Sequence, residues 1–425
     1  MSPPQIKTST SIAIDPYRKA KCRYCNSYLP NPFLELGSMP LANSLITTED
    51  LDKDEFQCPL SLTFCQQCTL VQLTHAVPAD LMFKNYLYVS STTKTFQEHF
   101  AKYAKAVRLK LANKNHPVAV DIGSNDGLLV SSYAKEGMDA IGIEPAKNLS
   151  DMANCKGIKT LNRYFDHECV KQILKEHGPA KVISGNNVFA HIDDIQNVVR
   201  NVYDLLDADG MFVIEFPYLV TMLDETLFDM IYHEHLSYLS ITALNYIFEQ
   251  FHMKIFDIDY VPSHGGSCRV FIQKNEGHYA IFPIVAEYCA KEKKRGIGSS
   301  ETYEEFAKKV YQVKKDLLQF VTDSKNSGKI IAGYGAPAKA STIINFCKLQ
   351  AEQISFIVDD NPLKQKHFVP GAKIPIVPSG HLESNLPDYL IIFAWNFAKE
   401  IITKIQPLKQ KGVRFLIPLP KPALV

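Results

Sequence analysis

The sequence feature that most constrains the fold of this chain is an apolar run that leads directly into an acidic, glycine-containing turn. Residues 118–122 have the composition of a buried strand, and the turn Gly-Ser-Asn-Asp-Gly follows at 123–127. Glycines at a strand-to-helix turn let the backbone approach a ligand closely. The next apolar strand ends in Glu144, near the ~20-residue interval at which a carboxylate can accept both hydroxyls of a ribose. The pattern predicts an α/β domain that binds a nucleotide-like cofactor.

The acidic character of this turn favours a cationic cofactor. Dinucleotide-binding loops more often have the spacing G-x-G-x-x-G, in which the backbone holds a pyrophosphate. Here the spacing is G-x-x-x-G, with Asp121 before it and Asp126 inside it. Carboxylates would repel a pyrophosphate but attract the ammonium and sulfonium groups of S-adenosylmethionine (SAM). The loop therefore favours a methyltransferase over another nucleotide-binding enzyme or a turn without a ligand. The candidate cofactor residues are Asp121, Gly123, Asn125, Gly127 and Glu144.

Length and composition are those of a soluble protein with two or three domains. The chain has 425 residues, of which 46% are hydrophobic and 21% charged, as is ordinary for globular proteins. A net charge of +1 creates no field that would attract nucleic acid or an anionic membrane. The first residues lack a signal-peptide core, and no apolar run approaches the ~20 residues of a membrane span. We expect a cytoplasmic protein, monomeric, without nucleic acid or membrane as partner.

Two cysteine pairs predict a structural metal site. The chain has ten cysteines, which in a reducing compartment are better interpreted as metal ligands than as disulfides. Cys22 and Cys25 form one C-x-x-C pair, and Cys65 and Cys68 form the other. Four thiolates complete a tetrahedral zinc site and leave no position for water, so the metal would stabilise a domain rather than catalyse. Redox-active or buried cysteines are the alternative. We expect Cys58 to be buried.

The order of strand-like and helix-like segments predicts an α/β fold. Between residues 118 and 269 they alternate as in a doubly wound parallel sheet. A charged helical connector at 284–324 precedes a second small α/β unit at 329–418. The predicted strands of the larger sheet are 118–121, 140–144, 181–184, 211–215, 254–260 and 268–273.

We therefore predict three domains. Residues 1–80 would form a small zinc-binding domain with the two C-x-x-C pairs. Residues 81–300 would form a doubly wound, Rossmann-like methyltransferase domain, and residues 301–425 a second Rossmann-like α/β domain.

Polar residues follow the third predicted strand, at the edge where open α/β sheets bind ligands. Asn187 and His191 belong to this segment, which spans residues 185–194. We expect them to face the ligand. The alternatives are a turn-forming asparagine and a histidine that caps or packs.

The densest polar cluster is Tyr-His-Glu-His at residues 232–235. Burying four ionisable side chains is costly unless they serve a purpose. The cluster lacks the H-E-x-x-H spacing that places two imidazoles on one helix face. An acid–base site fits better, because a histidine exchanges protons near neutral pH while a carboxylate and a phenol orient it. A metal site and a structural hydrogen-bond network are the alternatives.

The last α/β unit contains a second glycine turn, Gly-Tyr-Gly-Ala-Pro-Ala-Lys at 333–339. Its backbone amides and Lys339 would suit a diphosphate. The following strand ends in Asp359 and Asp360, placed to meet a ribose or a base. Alone, this unit is also compatible with an NAD site or with a Rossmann-like unit that binds nothing.

Together, these motifs resemble those of the sugar C-methyltransferases that act on nucleotide-linked 4-keto deoxysugars, including the enzymes for mycarose and tetronitrose. The similar motifs are D-I-G-S-N-D-G, N-V-F-A-H-I, Y-H-E-H-L-S-Y, S-H-G-G-S and G-Y-G-A-P-A-K, at residues 121–127, 187–192, 232–238, 263–267 and 333–339. The resemblance covers the chain nearly end to end, including the order of its three domains.

The resemblance implies a mechanism. His235 would remove the C3 proton of the sugar, and Tyr232 and Glu234 would hold the substrate and orient the base. The C4 ketone stabilises the resulting enolate, which then takes the methyl group of SAM. By the same resemblance His191 lies in this pocket, with Asn187 at the cofactor.

The resemblance also assigns the substrate contacts. Tyr86 would belong to the catalytic pocket, with Tyr88 as the alternative tyrosine and a substrate contact. The C-terminal unit would bind the nucleotide of the sugar substrate through Gly333, Gly335, Lys339 and Asp359. SAM and structural zinc would be the cofactors. An O- or N-methyltransferase, a nicotinamide-dependent oxidoreductase and a non-enzymatic zinc protein are the competing hypotheses.

Overall fold

The computed structural model describes residues 15–83, 89–92, 94–111 and 116–425. Three β-sheets, each covered by helices or by a neighbouring domain, organise these residues. Within the described part of the chain, no helix has the length and apolar composition needed to cross a membrane.

The first sheet is antiparallel, with Cys22 and Cys25 before its first strand and Cys65 and Cys68 on the turn between its second and third strands. Its strands are β1 (Leu34–Met39), β2 (Cys58–Phe64) and β3 (Val71–Leu73), followed in the chain by helices α1 (Ala79–Phe83) and α2 (Lys94–Lys110). A fourth strand, β9 (Ser237–Tyr238), comes from far along the chain and pairs with β3. The segment after the Tyr-His-Glu-His cluster thus belongs to the N-terminal sheet.

The second sheet has seven strands in the order β10-β11-β8-β7-β4-β5-β6. The chain leaves β4 towards β5 on one side and returns as β7 on the other, so the strand order reverses between β4 and β7, where open sheets bind ligands. The strands are β4 (Val118–Ile122), β5 (Asp139–Ile143), β6 (Thr160–Leu161), β7 (Ala180–Asn186), β8 (Leu206–Pro217), β10 (Met253–Val261) and β11 (Ser267–Lys274).

All six predicted strands are present, but the sheet is mixed rather than purely parallel. Strand β11 runs antiparallel to both β10 and β8. Only residues 262–266 connect β10 to β11, and a parallel crossover needs about a dozen residues or more. The chain must therefore turn back on itself. The short β6 was not predicted, because two residues give no periodic signal.

Side-chain caps fix several helices of this domain. Asp166 accepts the backbone N–H of Cys169 at the start of α5, and Asp194 accepts that of Asn197 at the start of α6. Such caps satisfy amides that have no partner within the helix. The helices are α3 (Leu128–Lys135), α4 (Lys147–Cys155), α5 (His167–His177), α6 (Ile195–Leu205), α7 (Leu219–Asp224) and α8 (Ile241–Glu249).

Two helices lead to the third sheet. They are α9 (Pro283–Arg295) and α10 (Ser300–Asn326). The sheet has the order β14-β13-β12-β15-β16-β17 and is parallel except for β17. Its elements are β12 (Ile331–Tyr334), α11 (Ala338–Phe346), β13 (Ile357–Val358), β14 (Ile376–Val377), β15 (Tyr389–Ile392), α12 (Ala398–Lys404), α13 (Pro407–Gln410), β16 (Arg414–Ile417) and β17 (Ala423–Leu424).

A buried carboxylate joins α9 to the start of α8. Glu292 is fully buried and accepts the backbone N–H groups of Ile241 and Thr242, each at 2.7 Å, at the start of α8. It also accepts the hydroxyl of Tyr218 at 2.8 Å. Negative charge is favourable at a helix N-terminus, where free amides converge.

Removing this carboxylate should destabilise the protein. We expect Glu292→Ala to lower the free energy of unfolding by ~3 kcal/mol, because buried donors lose their acceptor. Urea denaturation measures the change, and Glu287→Ala, on the exposed face of the same helix, is the control. Equal midpoints for the two variants would show that Glu292 is not the link.

Candidate functional site

The four predicted cysteines converge on one point. The sulfurs of Cys22 and Cys68 lie 3.6 Å apart and those of Cys25 and Cys65 lie 3.4 Å apart. All four sulfurs lie within 4.8 Å of one another. A tetrahedral zinc with Zn–S bonds of ~2.3 Å places its sulfurs ~3.8 Å apart. The donor set and its spacing therefore fit zinc.

The two pairs adopt the same turn. The residue after each second cysteine, Asn26 or Thr69, has a left-handed backbone with φ of 60° or 58°. Its amide bonds back to the carbonyl of Cys22 or Cys65, respectively. Each turn thereby directs two sulfurs to the same side.

The surroundings of Cys22 and Cys58 affect the ionisation of their thiols in opposite directions. Gln72 donates its side-chain N–H to the sulfur of Cys22 at 3.1 Å, which stabilises a thiolate and orients the ligand. Hydrogen bonds from the thiols of Cys65 and Cys68 lower the pKa of Cys22. Cys58 lies outside the cluster, and burial raises its pKa to about 12. The prediction that Cys58 is buried is confirmed.

The glycine turn after β4 is too crowded for side chains. Gly123 has φ of +66°, and a Cβ there would lie 2.4 Å from Cγ2 of Val188. Gly127 has φ of +82°, and its Cβ would meet Ile158 at 2.8 Å. Asn125, between them, is also left-handed. Since left-handed backbone and close contacts both favour glycine, the turn keeps its backbone within reach of a ligand.

Two carboxylates flank this turn. Asp121, at the end of β4, accepts the hydroxyl of Ser184 at 2.6 Å, and burial raises its pKa to about 7. Glu144, directly after β5, accepts the amides of Asn125 and Ala146, each at 2.8 Å. Burial raises the pKa of Glu144, and these hydrogen bonds lower it in part. When ionised, the two carboxylates place negative charge beside this turn.

An amide side chain completes this edge of the sheet. Asn187 follows β7, has a left-handed backbone, and donates its backbone N–H to the carbonyl of Glu215 at 2.7 Å. Its side-chain oxygen is buried and has no hydrogen-bond partner among the residues that the structure describes. Since a buried polar atom normally has a partner, this amide fits a ligand contact.

The Tyr-His-Glu-His segment presents a basic nitrogen. His235 shares a 2.8 Å hydrogen bond between its Nδ1 and the carbonyl of Met230. A carbonyl oxygen only accepts, so Nδ1 carries the proton and Nε2 has the lone pair. Nε2 lies 2.7 Å from the hydroxyl of Tyr232, which is the donor. Both rings are half-buried, so a ligand can approach them.

Two further predicted residues lie beside this pair. The ring centroid of His191 is 5.0 Å from that of His235. Burial lowers the pKa of His191 to about 4, so it is neutral at neutral pH. Glu234 is buried and accepts the amide of Asn43 at 2.6 Å, which ties it to the N-terminal domain. His233, by contrast, bonds to the carbonyl of Cys58 and has a structural role.

In the C-terminal sheet, the glycine turn lies tightly against its neighbours. A Cβ on Gly335, where φ is +86°, would lie 2.5 Å from that of Ala394, and one on Gly333 would lie 2.8 Å from Phe393. Asp359 accepts the amide of Ala336 at 2.8 Å. In this structure the Asp359 carboxylate therefore orders the turn itself.

Lys339 lies on α11 and is buried. Its side-chain nitrogen has no hydrogen-bond partner among the described residues and lies 4.8 Å from the ring centroid of Trp395. Burial lowers its pKa, although the nearby Asp229 opposes this effect. The indole N–H of Trp395 donates to Asp229 at 2.5 Å. The sequence did not indicate Trp395 or Asp229, because neither lies in a recognisable motif.

The structure thus brings His235, Tyr232 and His191 together, and places the cofactor candidates at the carboxyl ends of β4, β5 and β7. Tyr86 and Tyr88 lie outside the described residues, so their assignment stays a prediction.

Three family models match successive parts of the chain. A zinc binding domain matches residues 22–83, a methyltransferase domain matches 96–255, and a C-methyltransferase C-terminal domain matches 262–420. The chain is 35% identical over 405 residues to C-methyltransferase NovU of Streptomyces niveus, with 95% of this chain and 96% of NovU covered. The chain belongs to the SAM-dependent C-methyltransferase family. The predicted fold class, SAM and the structural zinc are confirmed.

Solved structures of other proteins match smaller parts of this chain. Magnesium protoporphyrin IX methyltransferase of Synechocystis PCC 6803, with bound SAM, is 10% identical, with 42% of this chain and 79% of that chain covered, at a TM-score of 0.33. The PH0226 protein of Pyrococcus horikoshii OT3 is 9% identical, with 44% of this chain and 94% of that chain covered, at a TM-score of 0.35.

The pKa of Asp121 leads to a prediction for cofactor binding. We expect the affinity for SAM to increase between pH 6 and pH 8 (~1 unit on each side of this pKa), because the ionised carboxylate attracts the cofactor's cationic groups. Asp121→Asn should weaken binding ~10-fold at pH 8 and remove this pH dependence. Isothermal titration calorimetry measures both. A wild-type affinity that stays constant or falls over this interval would contradict the assignment.

Proposed function

We propose that this C-methyltransferase methylates C3 of a nucleotide-linked 4-keto-6-deoxy sugar, with His235 as the base. The observation that carries the proposal is the fixed tautomer of His235, whose Nε2 lone pair meets a half-buried phenol. Forming a carbon–carbon bond requires a carbanion-like nucleophile. A C–H beside a ketone can supply one, since the ketone oxygen accepts the negative charge.

The proposed reaction begins at Nε2 of His235. This nitrogen takes the C3 proton, and the electrons of the C–H bond move into an enolate at C3, C4 and the C4 oxygen. When bound, SAM would supply the methyl group as an electrophile, because the C3–methyl bond can form as the sulfonium–methyl bond breaks and S-adenosylhomocysteine leaves with that electron pair. A positioned base contributes ~10²–10⁴-fold, and alignment of the two reactants contributes further.

Tyr232 has two partners in this scheme. Without substrate, its hydroxyl donates to Nε2 of His235. With substrate bound, the same O–H would turn to the C4 oxygen, which frees the lone pair and stabilises the developing negative charge. Glu234 would hold the segment that carries both rings through Asn43.

His191 contributes as a neutral residue. A cation next to His235 would lower its basicity, but burial keeps the pKa of His191 at about 4. The neutral ring can donate one N–H to the substrate without competing for the C3 proton.

The nucleotide end of the substrate would bind at the C-terminal sheet. Lys339 is buried without a hydrogen-bonded anion in the part of the chain that the structure describes, and the turn at 333–337 precedes α11. A phosphate there would meet backbone amides at a helix N-terminus together with an ammonium group. Gly333, Gly335 and Asp359 shape this turn.

Family membership argues against the oxidoreductase and the O- or N-methyltransferase alternatives. The three predicted domains, the monomeric state, the cytoplasmic location and the absence of nucleic-acid partners remain part of this proposal. A small-molecule substrate is part of it as well.

Deuterium exchange tests the base directly. We incubate wild-type protein with dTDP- or GDP-4-keto-6-deoxyglucose and S-adenosylhomocysteine in heavy water, and follow exchange at C3 by NMR. His235→Asn should slow the exchange ~10²–10⁴-fold. Tyr232→Phe should slow it less, because Nε2 remains available. C3 exchange that is equally fast in His235→Asn would eliminate His235 as the base.

Trp395 reports nucleotide binding, since it is the only tryptophan of the chain. We expect dTDP or GDP to change its fluorescence as the phosphates attract Lys339 away from the indole. Lys339→Met should weaken this binding by ~10–100-fold, because a charge-assisted contact is lost. Lys399→Met, at an exposed lysine, is the control. Equal affinities for the two variants would remove Lys339 from the nucleotide site.

A further inference from the structure

A residue inside the first zinc turn extends towards the active site. Arg23 lies between two of the metal-binding cysteines, yet only 1% of its side chain is exposed. Its Nη1 lies 2.9 Å from the carboxylate of Asp193. Its Nη2 donates to the carbonyl of Leu73 at 2.8 Å. The guanidinium therefore joins two segments that are distant in sequence.

The first segment carries one active-site histidine. Asp193 lies two residues after His191, and the next residue, Asp194, caps α6. The second oxygen of Asp193 accepts the ammonium of Lys19 at 2.7 Å. Lys19 is largely solvated, with 38% of its side chain exposed, so Arg23 is the buried partner that restrains this turn.

The second segment carries the other histidine. The backbone N–H of Leu73 donates to the carbonyl of Leu236 at 3.0 Å, directly after His235. In the same ladder, Gln72 is paired with Ser237. Arg23 thus connects the loops of His191 and His235 through one side chain and one strand.

The zinc turn in turn orients Arg23. The oxygen of Gln72 accepts the backbone N–H of Arg23 at 3.0 Å and its Nε at 3.3 Å. The nitrogen of the same amide donates to the sulfur of Cys22. A buried arginine that donates through Nε, Nη1 and Nη2 and is paired with a carboxylate is costly to displace.

We propose that Arg23 is a positioning residue, which fixes the His191 turn relative to the strand that follows His235 and so makes the zinc domain part of the catalytic apparatus. This inference depends on the proposed role of His235. A planar guanidinium can hold both partners at defined angles, whereas an ammonium group cannot. An error of about 1 Å in such a site costs ~10²-fold in rate.

The test compares Arg23→Met, Arg23→Lys and Asp193→Asn with Lys19→Ala. The first three should lower kcat ~10–100-fold, with unchanged zinc content and KM for SAM. Lys19→Ala keeps the Arg23–Asp193 pair and should have nearly wild-type kcat. The double variant Arg23→Met/Asp193→Asn should lose no more than either single variant, because both remove the same contact.

A second readout requires no substrate. In protein with ¹³C-labelled histidine, the His191 and His235 ring signals should shift in Arg23→Met and Asp193→Asn but stay unchanged in Lys19→Ala. If both variants have wild-type kcat and spectra, the proposal is wrong. If Arg23→Met loses zinc, the Asp193→Asn variant provides the test, because it breaks the Arg23–Asp193 ion pair without altering a residue of the metal turn. A wild-type kcat for Asp193→Asn would then overturn the inference. A base other than His235 would be revealed by the exchange experiment, whereas these ring signals report the positioning itself.

Discussion

Residues 229–238 are hydrogen-bonded to all three domains, and the active site depends on this shared restraint. Asp229 accepts the indole of Trp395 and the carbonyl of Ile231 accepts the hydroxyl of Thr342, both from the C-terminal domain. At the other end, β9 pairs with β3 of the zinc sheet. Between these anchors, the carbonyl of Met230 sets the tautomer of His235.

In the proposed mechanism, each domain has a part in one reaction. The central sheet supplies the acidic cofactor turn, whose carboxylates suit a cationic methyl donor. The zinc domain holds the strand after His235, and the C-terminal domain holds the residues before it. Binding energy from a remote part of a substrate can thereby contribute to alignment at the reacting carbon. In this proposal, His235 is effective as a base only when all three domains are in place.

Local signals in the sequence predicted much of this structure. Strong strand periodicity revealed six strands of the central sheet, and the doubled C-x-x-C spacing revealed the metal cluster. Gly123 and Gly127 were recognisable because left-handed backbone strongly favours glycine. The Tyr-His-Glu-His segment was recognised by its unusual density of ionisable groups.

Contacts between distant residues were not predictable. The pairing of Arg23 with Asp193 spans 170 positions, and no local pattern in one sequence encodes such a partner. Strand β9 has two residues, too few for a periodic signal, and its partner β3 belongs to another domain. The antiparallel β11 could have been inferred from the five-residue connection before it. The hydrogen bond from the amide of Ala336 to Asp359 also joins distant positions, and the assignment of Asp359 to the nucleotide stays a prediction.

The most direct measurement of the central claim follows the fate of the C3 hydrogen during methyl transfer. A nucleotide-linked 4-keto-6-deoxy sugar with deuterium at C3 is incubated with the wild-type enzyme and SAM, and the product is examined by NMR and mass spectrometry. The account predicts one methyl group on C3 and the loss of one deuterium for each methyl transferred. A methylated product that retains its C3 deuterium would contradict it.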